Sequence, residues 1–303
     1  MNTDRLRMHS VMVSVAAFFL FTGAITTFAQ NEGAVLNWMD QINQKIPHGS
    51  NFAIGQIELF TAGRGTPIYR HLRNGFRFVP NDARRNAEGT TLRYLVDSSA
   101  SDPVRGYTTS GLTAAQTEAA IDRAMNTWSS QKCMRKVTFT KRYPLAGTDP
   151  DGVDYFLTGE AVPPNVVVFQ ADIVHGGWIN LPLWVGEDVL ATTFTISFTD
   201  QYGNPTDIDH DGYGDIAWTE TYYNDIETYA NGSVGVVPWA IDQDLPHYDV
   251  ESIALHESGH ALGLGHFGPP PFAVMNPTYT GLQQTLLSTD RAGVCGLFSS
   301  WPN

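Results

Sequence analysis

The sequence predicts an α+β domain. Three observations lead there. Short runs of alternating or β-branched residues are interspersed with stretches whose apolar residues recur at helical spacing. Hydrophobic residues make up 42% of the chain and charged residues only 16%, which excludes a disordered acidic tail and leaves room for a real core. The length of 303 residues suits one large domain, or one domain with an appendage.

The elements follow in order. Arg5 and Arg7 precede an apolar run from Val11 to about Phe21, and small residues lead to Thr27-Phe28-Ala29. This pattern predicts a secretory signal peptide over residues 1–29, with an N-terminal membrane anchor as the alternative. No later segment is long and apolar enough to span a membrane, so no stable insertion is expected once the signal is removed. Residues 30–87 read as a small separate segment: a pro-segment, a lid or an N-terminal part of the main domain. In it Ala34, Val35, Trp38, Met39, Ile42 and Ile46 recur at helical spacing, and Pro47-His48-Gly49 ends the pattern.

Residues 88–303 form the main unit. Thr91–Val96 reads as a strand. Gly111-Leu112-Thr113 opens an amphipathic helix with Ile121, Ala124, Met125 and Trp128 on one face. Val137–Phe139 reads as a second strand. Asn165–Phe169 reads as a third, its β-branched density predicting burial on both faces. Thr192–Phe198 alternates like a half-buried strand, and Asp215–Tyr223 carries another. Helices are expected from about Asp249 to Leu262 and from about Ser288 to Phe298.

Charge is unevenly distributed. The chain holds 18 Lys+Arg and 31 Asp+Glu, a formal net charge of −13. Residues 143–290 contain 21 of the acids and no Lys or Arg. Such a surface excludes nucleic-acid binding there and needs counter-charge, for which bound metal cations are one candidate.

The chemistry concentrates in Asp249-Val-Glu-Ser-Ile-Ala-Leu-His256-Glu257-Ser-Gly-His260-Ala-Leu-Gly263-Leu-Gly265-His266. Asp249 is a good N-cap. His256 and His260, four residues apart on a helix, point the same way and make two corners of a zinc site. Glu257 is placed to reach a metal-bound water rather than the metal. Gly263 can end the helix sharply and bring His266 back as a third ligand. Three protein ligands leave a fourth position for water, the catalytic rather than the structural zinc pattern.

Downstream come Ala273-Val274-Met275-Asn276-Pro277-Thr278-Tyr279. The extended histidine motif followed by a methionine turn resembles the metzincin metalloproteases. Asp249–Ile253 before the motif and Val274–Pro277 after it most resemble the matrixin, or matrix-metalloproteinase-like, branch. The resemblance covers about residues 88–303 and is strongest at 249–279. It implies a twisted, mostly parallel five-stranded sheet with three helices. It also implies a substrate extended along an edge strand, which Thr192–Phe198 matches best as a β-augmentation site. By the same resemblance His256, His260 and His266 are the zinc ligands, Glu257 is the general base, and Met275 underlies the metal without binding it. Tyr279 reads as wall of the substrate pocket or as plain packing. Two positions depart from the family pattern. Phe267 stands where matrixins usually have Ser, and residues 30–87 lack the family's inhibitory cysteine.

Asp207-Ile-Asp209-His-Asp211-Gly212-Tyr213-Gly-Asp215 follows a calcium-loop pattern, with acids at positions 1, 3, 5 and 9 and Gly at 6. Asp207, Asp209, Asp211, Tyr213 and Asp215 are the candidate ligands, with a solvated acidic turn as the alternative. Position 12 is Trp218, and Glu220 can substitute only if the loop is distorted. Cys133 and Cys295, far apart in an exported chain, are most simply one disulfide, with two buried thiols as the alternative. Asn231-Gly232-Ser233 is a glycosylation sequon.

The reading is therefore a secreted, monomeric zinc endopeptidase with a structural calcium, acting on protein or peptide substrates through a zinc-activated water. One alternative is a secreted calcium-dependent binding or adhesion protein on an inactive protease scaffold. Another is a metallohydrolase with a non-peptide substrate.

Overall fold

A computed structural model describes residues 36–47, 49–62, 74–85, 89–97, 105–181, 188–228 and 233–301. The expected signal peptide, Ala34, Val35 and the sequon residues Asn231 and Gly232 lie outside them. Helix α1 covers residues 36–45 and stops before Pro47. Strand β1 (Phe52–Thr61), β2 (Phe76–Arg77) and β3 (Thr91–Val96) follow. Helix α2 (Ala114–Ser129) starts at a capping box in which Thr113 and Gln116 each bond the other's backbone. Then come β4 (Thr138–Arg142), α3 (Val153–Thr158), β5 (Ile173–Ile179), β6 (Val189–Phe198) and β7 (Gly214–Asn224). Two small ribbons, β8 (Ile226–Thr228) with β9 (Val234–Val236) and β10 (Trp239–Ala240) with β11 (Tyr248–Asp249), lead to α4 (Val250–Ala261) and α5 (Ser288–Phe298).

The main sheet has seven strands in the order β1-β6-β7-β5-β3-β4, with β2 also paired to β7. Strands β2, β3, β4, β5 and β7 pair in parallel, whereas β6 runs antiparallel to both β7 and β1. Four of the five expected strands are present, as β3, β4, β6 and β7, in a mostly parallel α+β fold, and β5 takes the fifth place. The two additional ones come from residues 30–87, which hydrogen-bond directly into the sheet. One core lies between the sheet and helices α2, α4 and α5, around Trp128, Ile253, Met275, Leu297 and Trp301. A second covers the other face, where Trp38 and Ile42 of α1 meet Phe194, Phe198, Trp218 and Tyr222.

Two strand expectations need correction. Asn165–Phe169 is not a strand: only Val166 forms a bridge, to Asp149, and Phe169 has φ of 68°. Pro163 and Pro164 precede it, and the segment crosses the sheet face as a loop instead. The doubly buried strand is β5, whose Gly176-Gly177 pair hides its character in sequence. A Cβ on Gly176 would collide with Asp151 and Tyr222, and Gly177 has φ of 115° beside the Arg105 carbonyl. Thr192–Phe198, in turn, is neither half-buried nor an edge. All ten residues of β6 are buried, because β1 pairs along its outer side.

The basic N-terminal part supplies counter-charge to the acidic half. Arg77 meets Asp211 at 2.6 Å, Arg84 meets Asp215 at 2.8 Å, and the buried Arg85 meets Asp172 at 2.7 Å. Arg93 joins Asp172, Arg105 pairs with Asp225, and Arg123 with Glu251. Cys133, beside the end of α2, is bonded to Cys295 of α5.

Candidate active site and metal centre

Helix α4 carries the site. Asp249 caps it, accepting from the Ser252 backbone N–H at 2.8 Å and the Ser252 hydroxyl at 2.7 Å. Every residue of α4 is buried, so its polar side chains are held by packing rather than solvated. Gly263 (φ 94°) turns the chain at its end, where a Cβ would lie 2.5 Å from the Phe76 carbonyl oxygen. That turn returns His266 to the helix.

The three imidazoles converge through Nε2. His256 and His260 are 2.9 Å apart, His260 and His266 3.2 Å, and His266 and His256 3.3 Å. Nitrogens about 3.3 Å apart are what a tetrahedral ion with bonds of about 2.0–2.1 Å requires. The hydrogen bonds also set the tautomers. His256 Nδ1–H donates to the Val274 carbonyl at 2.6 Å, and His260 Nδ1–H to the Leu264 carbonyl at 2.8 Å. A carbonyl only accepts, so each Nε2 keeps its lone pair for a metal. Burial pushes His256 well below the ordinary imidazole range and His260 down to about 4, so both are neutral at pH 7. This donor set fits zinc.

Glu257 is fully buried beside them. Its Oε2 accepts from the Thr193 hydroxyl of β6 at 2.6 Å, while Oε1 has no hydrogen-bond partner. Burial pushes its carboxyl up to about 8; the Thr193 bond works against that rise and the charge of Glu58 adds to it. Thr193 was not a sequence candidate. It lies 64 residues away, and only the packing of α4 on the sheet brings it there.

Met275 lies beneath the helix, so close to Gly259 that any side chain there would strike its sulfur. Its turn is pinned by Asp290, another residue without a sequence signal. The buried carboxylate accepts backbone N–H groups from Val274 at 3.0 Å, Met275 at 3.1 Å and Leu287 at 2.8 Å. Phe267, in the position of the usual Ser, continues the turn: its N–H donates to the Met275 carbonyl at 2.8 Å. Tyr279 lines a cavity of about 100 Å³ together with Phe60, Val274 and Thr278. Its hydroxyl accepts from the Asp249 N–H at 3.2 Å, and burial pushes it up to about 12.

Strand β1 crosses this site. Glu58 pairs in register with Thr193, and its carboxylate lies 3.4 Å from His266 Nδ1. The Phe60 ring stacks on His256 with centroids 3.8 Å apart. Beyond it Thr61 bridges Thr278 in parallel, its carbonyl accepting from the Tyr279 N–H at 2.8 Å. An extended strand therefore runs between β6 on one side and residues 277–279 on the other.

In the acidic loop, Asp207, Asp209 and Asp215 each place a carboxylate oxygen within 4.8 Å of the others. Asp211 does not join them, because its carboxylate is held by Arg77 and by the Tyr213 N–H. Both oxygens of Asp209 are buried without a hydrogen-bond partner. Gly212 has φ of 85°, which explains glycine at position 6. Glu220 points elsewhere, bonded to Trp218 and Tyr222.

No curated protein matches the chain. Residues 189–299 match the family model Peptidase_M10, matrixin. The match begins with β6 and ends one residue past α5, so histidine helix, methionine turn and Asp290 fall inside it; over this stretch the chain is similar to the matrixins.

Proposed function

We propose that the chain is a secreted zinc endopeptidase held latent by its own strand β1. The observation that carries the activity is the convergence of three imidazole Nε2 atoms at a helix that also presents a buried carboxylate with one unpartnered oxygen. Zinc bound by His256, His260 and His266 would supply Lewis acidity, polarising a carbonyl and lowering the pKa of water towards neutrality. Glu257 takes a proton from the attacking water and later delivers it to the leaving amine. Thr193 holds one oxygen of Glu257, so the other remains directed to that proton. Glu257→Ala is expected to retain zinc and fold while losing peptide cleavage by at least 1,000-fold, roughly 4 kcal/mol or more of barrier. An unbiased peptide-library digest beside a zinc assay measures both; full activity in the variant ends the proposal. The digest also separates this reading from an inactive binding scaffold and from a hydrolase with other substrates.

Latency rests on β1. A peptide extended along β6 needs the main-chain groups that β1 already uses, and Phe60 and Glu58 cover His256 and His266. Cutting a protease site inserted between residues 62 and 74, followed by dilution, should raise kcat/KM about tenfold or more, equivalent to about 1.4 kcal/mol or more. An unchanged rate in an otherwise active enzyme discards latency and leaves the endopeptidase reading standing.

Calcium is proposed at Asp207, Asp209 and Asp215, bracing the loop between β6 and β7. Oxygen-only donors and the two orphaned oxygens of Asp209 support it. Export is supported by the leader pattern and the disulfide. Among the described residues no helix is long and apolar enough to cross a membrane.

A further inference from the structure

A second cluster of carboxylates lies on the face of the sheet that carries Trp218 and Tyr222, away from α4. Asp97 follows the end of β3, and Asp149 and Asp151 precede α3. All three are buried, at 1%, 3% and 0% exposure, and each places a carboxylate oxygen within 4.8 Å of the others. We propose that Asp97, Asp149 and Asp151 form a calcium site that fastens the loop before α3 to the sheet.

Asp151 carries the argument. Neither of its oxygens has a hydrogen-bond partner, and it is wholly buried. It sits against Gly176 of β5, where any Cβ would collide with its Oδ2. Asp149 is already committed, accepting from the Tyr155 hydroxyl at 2.6 Å and the Asp151 N–H at 3.3 Å. No described Lys or Arg makes an ion pair with Asp149 or Asp151.

Burial and the neighbouring Asp154, Glu220, Asp149 and Asp97 carboxylates push Asp151 well above the usual carboxylate range, as expected where buried carboxylates crowd together without a cation. Glu220 is crowded in the same way: burial pushes it above the usual carboxylate range, against the donors Trp218 at 2.7 Å, Tyr222 at 2.7 Å and the Val153 N–H at 2.9 Å. A cation answers both problems, and an all-oxygen donor set selects a hard one. Calcium, with bonds of about 2.3–2.6 Å, accommodates oxygens up to about 5 Å apart. The site is separate from the acidic loop, since Glu220 bonds towards α3 and not towards Asp207.

The test is equilibrium dialysis of the zinc-loaded full chain against radioactive calcium. Asp151→Asn should bind one calcium fewer per chain than the wild type, while Asp209→Asn should leave this site filled. Equal binding by Asp151→Asn and wild type overturns the proposal. A variant that fails to fold does not block the test, because hydrogen exchange needs only the wild type. Adding calcium to calcium-stripped protein should slow exchange at least tenfold in residues 149–158. Unchanged exchange there, with protection confined to 207–215, also overturns it.

Discussion

At the scale of single residues, environment rather than identity sets the chemistry. Glu257 has an elevated pKa because it is buried, with Glu58 nearby. Between the ordinary carboxylate range and about 8 the folded state binds the proton more tightly than the unfolded one. Stability of the metal-free protein therefore falls as pH rises through that window. Glu257→Gln, which carries no titrating group there, should flatten the fall by about a few kcal/mol in urea melts from pH 5 to 8. A slope equal to that of the wild type would refute the assignment. Asp290 acts through its neighbours. It fixes the Val274 N–H, and the Val274 carbonyl fixes His256. Asp290→Ala should cost about 3 kcal/mol or more by orphaning three N–H groups, and should weaken zinc binding about 10- to 100-fold. The three converging histidines, Glu257 and Met275 were legible in the sequence because their spacing is local. Thr193, Glu58 and Asp290 were not, since each reaches the site only through tertiary packing.

At the scale of elements, helices read more clearly than strands. Helix α5 runs over Ser288–Phe298 and α4 over Val250–Ala261, close to their sequence limits, because caps and helical periodicity are local signals. Removing the cap of α4 tests this. Asp249→Ala should destabilise the protein by about 1–2 kcal/mol in chemical denaturation, with no change in the m-value. Strands failed where their partners mattered. Val166-Val167-Val168 has strong β character but lies in a loop behind two prolines, while β5 survives two glycines because neighbours approach too closely for side chains. Strand β1 had no clear signature, because its burial derives from β6 on one side and α1 on the other.

At the scale of the whole molecule, the charge asymmetry is a docking surface. Arginines from residues 77–123 insert into the half that has no cations of its own, so part of the expected counter-charge is protein and not metal. The disulfide adds a covalent closure across 162 residues, tying the end of α2 to α5. Cys133→Ser with Cys295→Ser should lower stability by about 2–5 kcal/mol, read as a reduced melting temperature. Reduction of the wild type should reproduce the shift.

Asn43 of α1 bonds both ways to Ile54: its Nδ2 donates to the Ile54 carbonyl at 3.0 Å, and its Oδ1 accepts the Ile54 N–H at 2.7 Å. One amide thus imitates the next strand and seals the outer margin of the sheet. Its consequence is mechanical. Strand and helix are fastened together, which favours β1 departing with α1 as a single cassette over peeling away residue by residue. Whatever frees the cleft would then also bare the long margin of β6, and an activated molecule without a peptide partner would be prone to stick to its own kind.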